Sequence, residues 1–130
     1  MLKPFCTFAV SKQKQALTKK GGLMIKRVEK DYNVDVVGTF YVGEFPATKN
    51  QIIELFGEPT NSFGNEKVKF EWHFAVELYE FDEVFSVTIY DWKEYSGFSN
   101  DTPINWHVGA KSYIVGDEFI SYVKDKLKTL

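Results

Sequence analysis

The chain holds one cysteine, Cys6, so no disulfide can close within it, and its two histidines, His73 and His107, supply no zinc ligands at finger-like spacing. Metal and redox chemistry therefore have no foothold in the sequence. Charge of one sign is lacking as well: 16 basic against 18 acidic residues leave a formal net charge of -2, without a basic block able to track a phosphate backbone. Duplex nucleic acid is not an expected partner. No apolar run approaches the roughly 20 residues that cross a bilayer, and the start Met1-Leu2-Lys3-Pro4-Phe5-Cys6 has no secretory h-region. A membrane is not expected either, and the expected setting is cytoplasmic. Gly-rich phosphate loops are missing, and Ser62, Ser86, Ser96, Ser99 and Ser112 all lack a Gly-x-Ser-x-Gly frame, so the sequence calls for no cofactor and offers no serine nucleophile with its base.

Aromatic residues are abundant, with twelve Phe, seven Tyr and three Trp making 17% of the chain. Large rings fill small cores and also build stacking platforms. A length of 130 residues is enough for one domain with its own core. Residues 1–23 read apart from the rest, because 11–20 are polar and basic and Gly21-Gly22 follows. Lys19-Lys20-Gly21-Gly22-Leu23-Met24 can be encoded by a purine-rich, ribosome-binding type of sequence just before an ATG. The expectation is a translated leader over 1–23, with Met24 as native start and a single α+β domain over 24–130.

Along that domain, Val34, Val36, Gly38, Phe40 and Val42 alternate with other residues at a period of two, which predicts a first strand. Thr48 then offers a helix N-cap, Ile52, Ile53 and Phe56 a helical face, and Gly57 with Pro59 a stop. Residues 58–65 are turn formers, with Gly57 and Gly64 bracketing a turn. Val68, Phe70, Trp72, Phe74, Val76 and Leu78 form one face of the next strand, opposite Lys67, Lys69, Glu71, His73 and Glu77. A hairpin through 79–83 leads into a strand over 84–92, a polar loop over 93–103 and a short strand over 104–108. Asp117 or Ser112 caps a last helix carrying Phe119, Ile120, Val123 and Leu127, with Lys124, Lys126 and Lys128 at its C-terminal end. The predicted fold is a four-stranded, mainly antiparallel sheet in the order β-α-β-β-β-α, with both helices on one face.

The segments Leu55-Phe56-Gly57-Glu58-Pro59-Thr60, Glu71-Trp72, Ile89-Tyr90-Asp91-Trp92-Lys93 and Trp106-His107-Val108-Gly109 give the chain a signature. It resembles that of small proteins of unassigned chemistry encoded by bacteriophages and prophages. The resemblance implies an accessory protein in the host cytoplasm that counters a host function, including immunity, by binding. Its expected partner is a host protein or a small nucleotide-like ligand, and the chain itself a monomer or homodimer.

The residues that best suit such a ligand are Tyr90, Asp91, Trp92 and Lys93 at a strand end, with Trp106 and His107 on the next strand and Lys111 beyond it. Indoles, a phenol and an imidazole stack a base, and the lysines meet a phosphate. The same rings also suit a sheet core, with Trp92 and Trp106 paired across strands. Masking of a host protein would instead use aromatics and acids at 79–83 and 95–98. A small hydrolase using His107 or His73 with Asp91 is the alternative chemistry, and a structural or assembly role the third reading. Glu71 and Glu77 share a face but stand about 20 Å apart on one strand, too far for a glycosidase pair. If 1–23 is a leader, deleting it leaves the melting temperature unchanged; a truncated chain that fails to fold would refute that.

Overall fold

The computed structural model describes residues 24–62 and 67–130. The expected leader over 1–23, Cys6 within it, and Gly64 lie outside the described residues. The elements are β1 (Ile25–Lys30), β2 (Phe40–Ala47), α1 (Lys49–Phe56), β3 (Asn61–Ser62), β4 (Phe70–Leu78), β5 (Val84–Tyr90), β6 (Ile104–Ala110) and α2 (Tyr113–Leu127). The class is α+β, as the patterning predicts, but among the described residues the antiparallel sheet has six strands rather than four. Its order is β1-β4-β5-β6-β2, with β3 also pairing β4.

β1 escapes the period-two pattern because of a register shift between Ile25 and Arg27. The irregularity lets Ile25 and Val28, three apart in sequence, both pack against the core. The first predicted strand is displaced for a different reason. Asp35 accepts from the Val37 N–H at 3.0 Å, Thr39 returns both its N–H and its hydroxyl to Val36 O, and Gly38 sits at φ +90°. These local bonds bend the chain out of extended geometry despite its valines, so β2 begins only at Phe40.

α1 starts on a capping box in which Thr48 and Gln51 satisfy each other's backbone N–H groups. It ends where Gly57 adopts φ +87°. With eight residues it is about 12 Å long. It carries the chain from β2, at one edge of the sheet, to β3 beside β4. Trp106 on β6 donates its indole N–H to Ala47 O just before α1, and Trp72 on β4 donates to Gly57 O just after it, both at 2.9 Å. The two indoles meet edge-on at 5.5 Å, so one aromatic pair fixes both ends of the helix on the sheet.

α2 is capped by Ser112, which accepts from the Val115 N–H, so of the two candidate caps Ser112 is the one used. Both helices cover one face, where Phe74 meets Phe56 of α1 at 4.8 Å and Phe119 of α2 at 5.1 Å. Trp72, Phe74, Val76 and Leu78 are buried on that side of β4, as the alternation predicts. On the other side His73 and Ala75 are also buried, so that face is not simply solvated.

α2 approaches β2 closely because Gly116 has no side chain. A Cβ there would stand 2.9 Å from Val42 Cβ and 3.2 Å from Cγ1. Gly116→Ala is therefore expected to cost about 1–3 kcal/mol of stability despite the better helix propensity of alanine. Adding Val42→Ala should recover part of the loss. Chemical denaturation of both variants checks this, and an unchanged or raised stability in Gly116→Ala would contradict it.

Candidate functional site

The face of the sheet away from the helices is built from alternate residues of four strands. Strand register sets Tyr90 between Glu71 and His107, and Thr88 between His73 and Gly109. Across the β6–β2 pairing, His107 faces Glu44 and Gly109 faces Tyr41. His107 lies 4.8 Å from the Tyr41 ring, 5.6 Å from Tyr90 and 6.2 Å from Trp92, centroid to centroid. Four rings from three strands and the β5 terminus thus gather on the exposed side.

Beside them opens a cavity of about 340 Å³ lined by Thr39, Phe40, Tyr41, Val68, Glu71, Thr88, Tyr90, Trp92 and Gly109. Gly109 leaves its floor bare: a Cβ there would lie 3.0 Å from Thr88 Cγ2 and 3.5 Å from Phe40 O. Glu71 is the carboxylate of the wall, and its Oε2 accepts from the Thr88 hydroxyl at 3.0 Å. Its Oε1 stands 3.2 Å from His73 Nε2, a buried atom that makes no hydrogen bond among the described residues.

The structure divides the residues singled out from the sequence. Tyr90 and Trp92 line the cavity, and His107 packs against both rings. Trp106 is fully buried on the helix side and belongs to the core. Asp91 is also fully buried, and its carboxylate accepts from the Lys69 and Phe70 N–H groups at 2.8–3.2 Å. It is a clasp joining the end of β5 to the start of β4. Lys93 follows in a left-handed conformation, φ +57°, donating its N–H to Lys67 O and holding Nζ 5.4 Å from the Trp92 ring centroid. Lys111 lies outside the cavity lining, its Cε 4.0 Å from where a Cβ of Gly38 would be.

The carboxylates that meet the histidines are Glu44, 3.4 Å from His107 Nε2, and Glu71, rather than Asp91. Among the described residues no group of His, Cys, Asp or Glu could hold a metal ion, and no helix is long and apolar enough to cross a membrane. Sequence reasoning missed Tyr41, Thr88 and Gly109 as site residues. Tyr41 belongs to a segment assigned to the wrong part of a strand, and Gly109 reads as a strand terminator until its neighbours are in place.

Set against family models, curated proteins and solved structures, the chain matches none. The site must therefore be read from its own chemistry.

Burial pushes the His107 imidazole below the usual histidine value of 6.5, with Glu44 and then Glu94 pulling the other way. Burial likewise raises Tyr90, helped by Glu71 and Tyr41, while the hydrogen bond to Glu44 raises Tyr41. The tyrosines thus stay neutral donors at physiological pH. For His107 the folded state disfavours the charged form, so the unfolded chain takes up the proton first as pH falls. Its contribution to stability is complete above about pH 6.5 and is lost as pH drops toward the folded value. An NMR titration should place the His107 midpoint below 6.5, and His107→Gln should lessen the fall in melting temperature between about pH 7 and 5. A midpoint above 6.5 would contradict this electrostatic picture.

Proposed function

We propose that the chain is a non-enzymatic binding protein that captures a small, planar, nucleotide-like ligand on the open face of its sheet. The observation that carries the reading is the cavity whose floor is bare at Gly109 while Tyr41, Tyr90 and Trp92 stand around it. Its volume, about 340 Å³, lies in the range of small-ligand sites. Stacking on such rings holds a base of any sequence, by about 1–3 kcal/mol per base. Lys93, its Nζ 5.4 Å from the Trp92 ring centroid, would offer a cation to a phosphate at that end of the cavity. The resemblance to phage-encoded proteins supplies the setting, in which sequestering such a molecule in the host cytoplasm counters a host function.

The hydrolase alternative draws less support, because both Asp91 oxygens accept from backbone N–H groups and neither histidine takes Asp91 as its carboxylate partner. Masking of a host protein would rely on the exposed Tyr79, Phe81 and Tyr95, since Phe98 packs on Trp106 at 5.6 Å.

Tryptophan fluorescence tests the proposal. Trp92 is 37% exposed, whereas Trp72 and Trp106 are fully buried, so a ligand in the cavity changes the emission of Trp92. A saturable response to mono-, di- or cyclic nucleotides is expected, and Trp92→Phe should remove it. A response to host macromolecules alone would overturn capture in favour of a protein target.

A further inference from the structure

The cavity wall contains one acidic group, and its surroundings constrain what can lie against it. The Glu71 side chain is 18% exposed, and the His73 side chain beside it 9%. An ionised carboxylate offers about four acceptor sites. One is used by Thr88 Oγ1 at 3.0 Å. His73 Nε2, though 3.2 Å from Oε1, makes no hydrogen bond among the described residues. Among the described residues the Thr88 hydroxyl is the donor to this partly buried carboxylate, which leaves acceptor sites for a ligand. A ligand that displaces water from such a group must bring donors of its own to offset the desolvation.

Carboxylate geometry says which donors fit best. Two parallel N–H groups on one planar edge meet the two oxygens together, as a guanidinium does. Among nucleobases, guanine has a ring N–H beside an exocyclic amine. Adenine and cytosine place an acceptor nitrogen next to their amine, which would oppose the carboxylate. The neighbouring rings Trp92, Tyr90 and Tyr41 supply flat apolar surface for the rest of such a heterocycle.

We infer that Glu71 selects, in the cavity beside Trp92, a planar heterocycle with a ring N–H next to an exocyclic amine, the edge presented by guanine. Thr88 is a positioning residue: its hydroxyl occupies one lone pair of Oε2 and turns the carboxylate. This inference rests on the ligand-capture reading of the same cavity and specifies the ligand class.

Isothermal titration of the full chain with GMP, IMP and AMP tests it. GMP and IMP share the phosphate, ribose and ring N–H and differ by the amine alone. GMP should bind at least about tenfold more tightly than IMP, the worth of a hydrogen bond to a charged partner, and AMP should bind more weakly than GMP. Glu71→Gln, checked for folding by circular dichroism, should bring GMP to the level of IMP. Equal binding of GMP and IMP by the unmodified protein overturns the assignment of Glu71 but leaves capture standing. A GMP preference that survives in a folded Glu71→Gln protein likewise overturns it. No heat with any of the three, together with no fluorescence response to nucleotides, overturns the capture reading as well.

Discussion

The edge-on contact between Trp72 and Trp106, with each indole N–H held by a backbone carbonyl at one end of α1, is the constraint on which the rest of the structure depends. α1 has eight residues, too few to be stable alone in water. Its position comes from the sheet: β6 grips the chain before it and β4 grips the chain after it. The pair contributes about 0.5–1.5 kcal/mol beyond the burial of the rings themselves. The two hydrogen bonds matter more than their net worth of about 1 kcal/mol each, because a buried indole N–H without a partner would be penalised. With α1 fixed, Phe56 and Phe119 close over Phe74, and the helix layer is complete.

Commitment of those indoles to the core decides what remains for the opposite face. Trp92 is the tryptophan left at the surface, and the chain around it is held in an unusual shape. Asp91, just before Trp92, is anchored by its carboxylate to the start of β4, and Lys93, just after, adopts a left-handed conformation that costs a residue with a side chain about 1–3 kcal/mol. The clasp and the strained residue together set the Trp92 ring at the mouth of the cavity. Binding surfaces commonly sit at strand ends positioned by a rigid scaffold, and the proposed site occupies such a place.

Much of the fold was legible in the sequence where pattern and local chemistry agree. The alternation from Phe70 to Leu78, the Thr48 cap with its Gly57 stop, and the last helix all appear where their residues predict. β1 was not legible because its irregular pairing breaks the alternation, and β2 was displaced because side-chain bonds around Asp35 and Thr39 outweigh the preference of the valines for extended backbone. The site was legible only in part. Tyr90, Trp92 and Lys93 cluster in sequence and His107 joins them in space, but alternation along β6 sends Trp106 to the opposite face from His107. Which neighbour each strand has is a property of the whole sheet, so the contributions of Glu71, Thr88, Tyr41 and Gly109 emerge only from the register.

The proposal is a division of labour between two faces, in which indoles Trp72 and Trp106 hold the core and the face around Trp92 would receive the ligand. The measurement that tests it most directly is an amide and indole NMR map of the labelled full chain with and without GMP. The account predicts that the Trp92 indole and the amides of Glu71, Thr88, Tyr90 and Gly109 shift, while the Trp72 and Trp106 indole signals stay in place. Shifts centred on the buried indoles or on α1 and α2, with the Trp92 face unchanged, would contradict it.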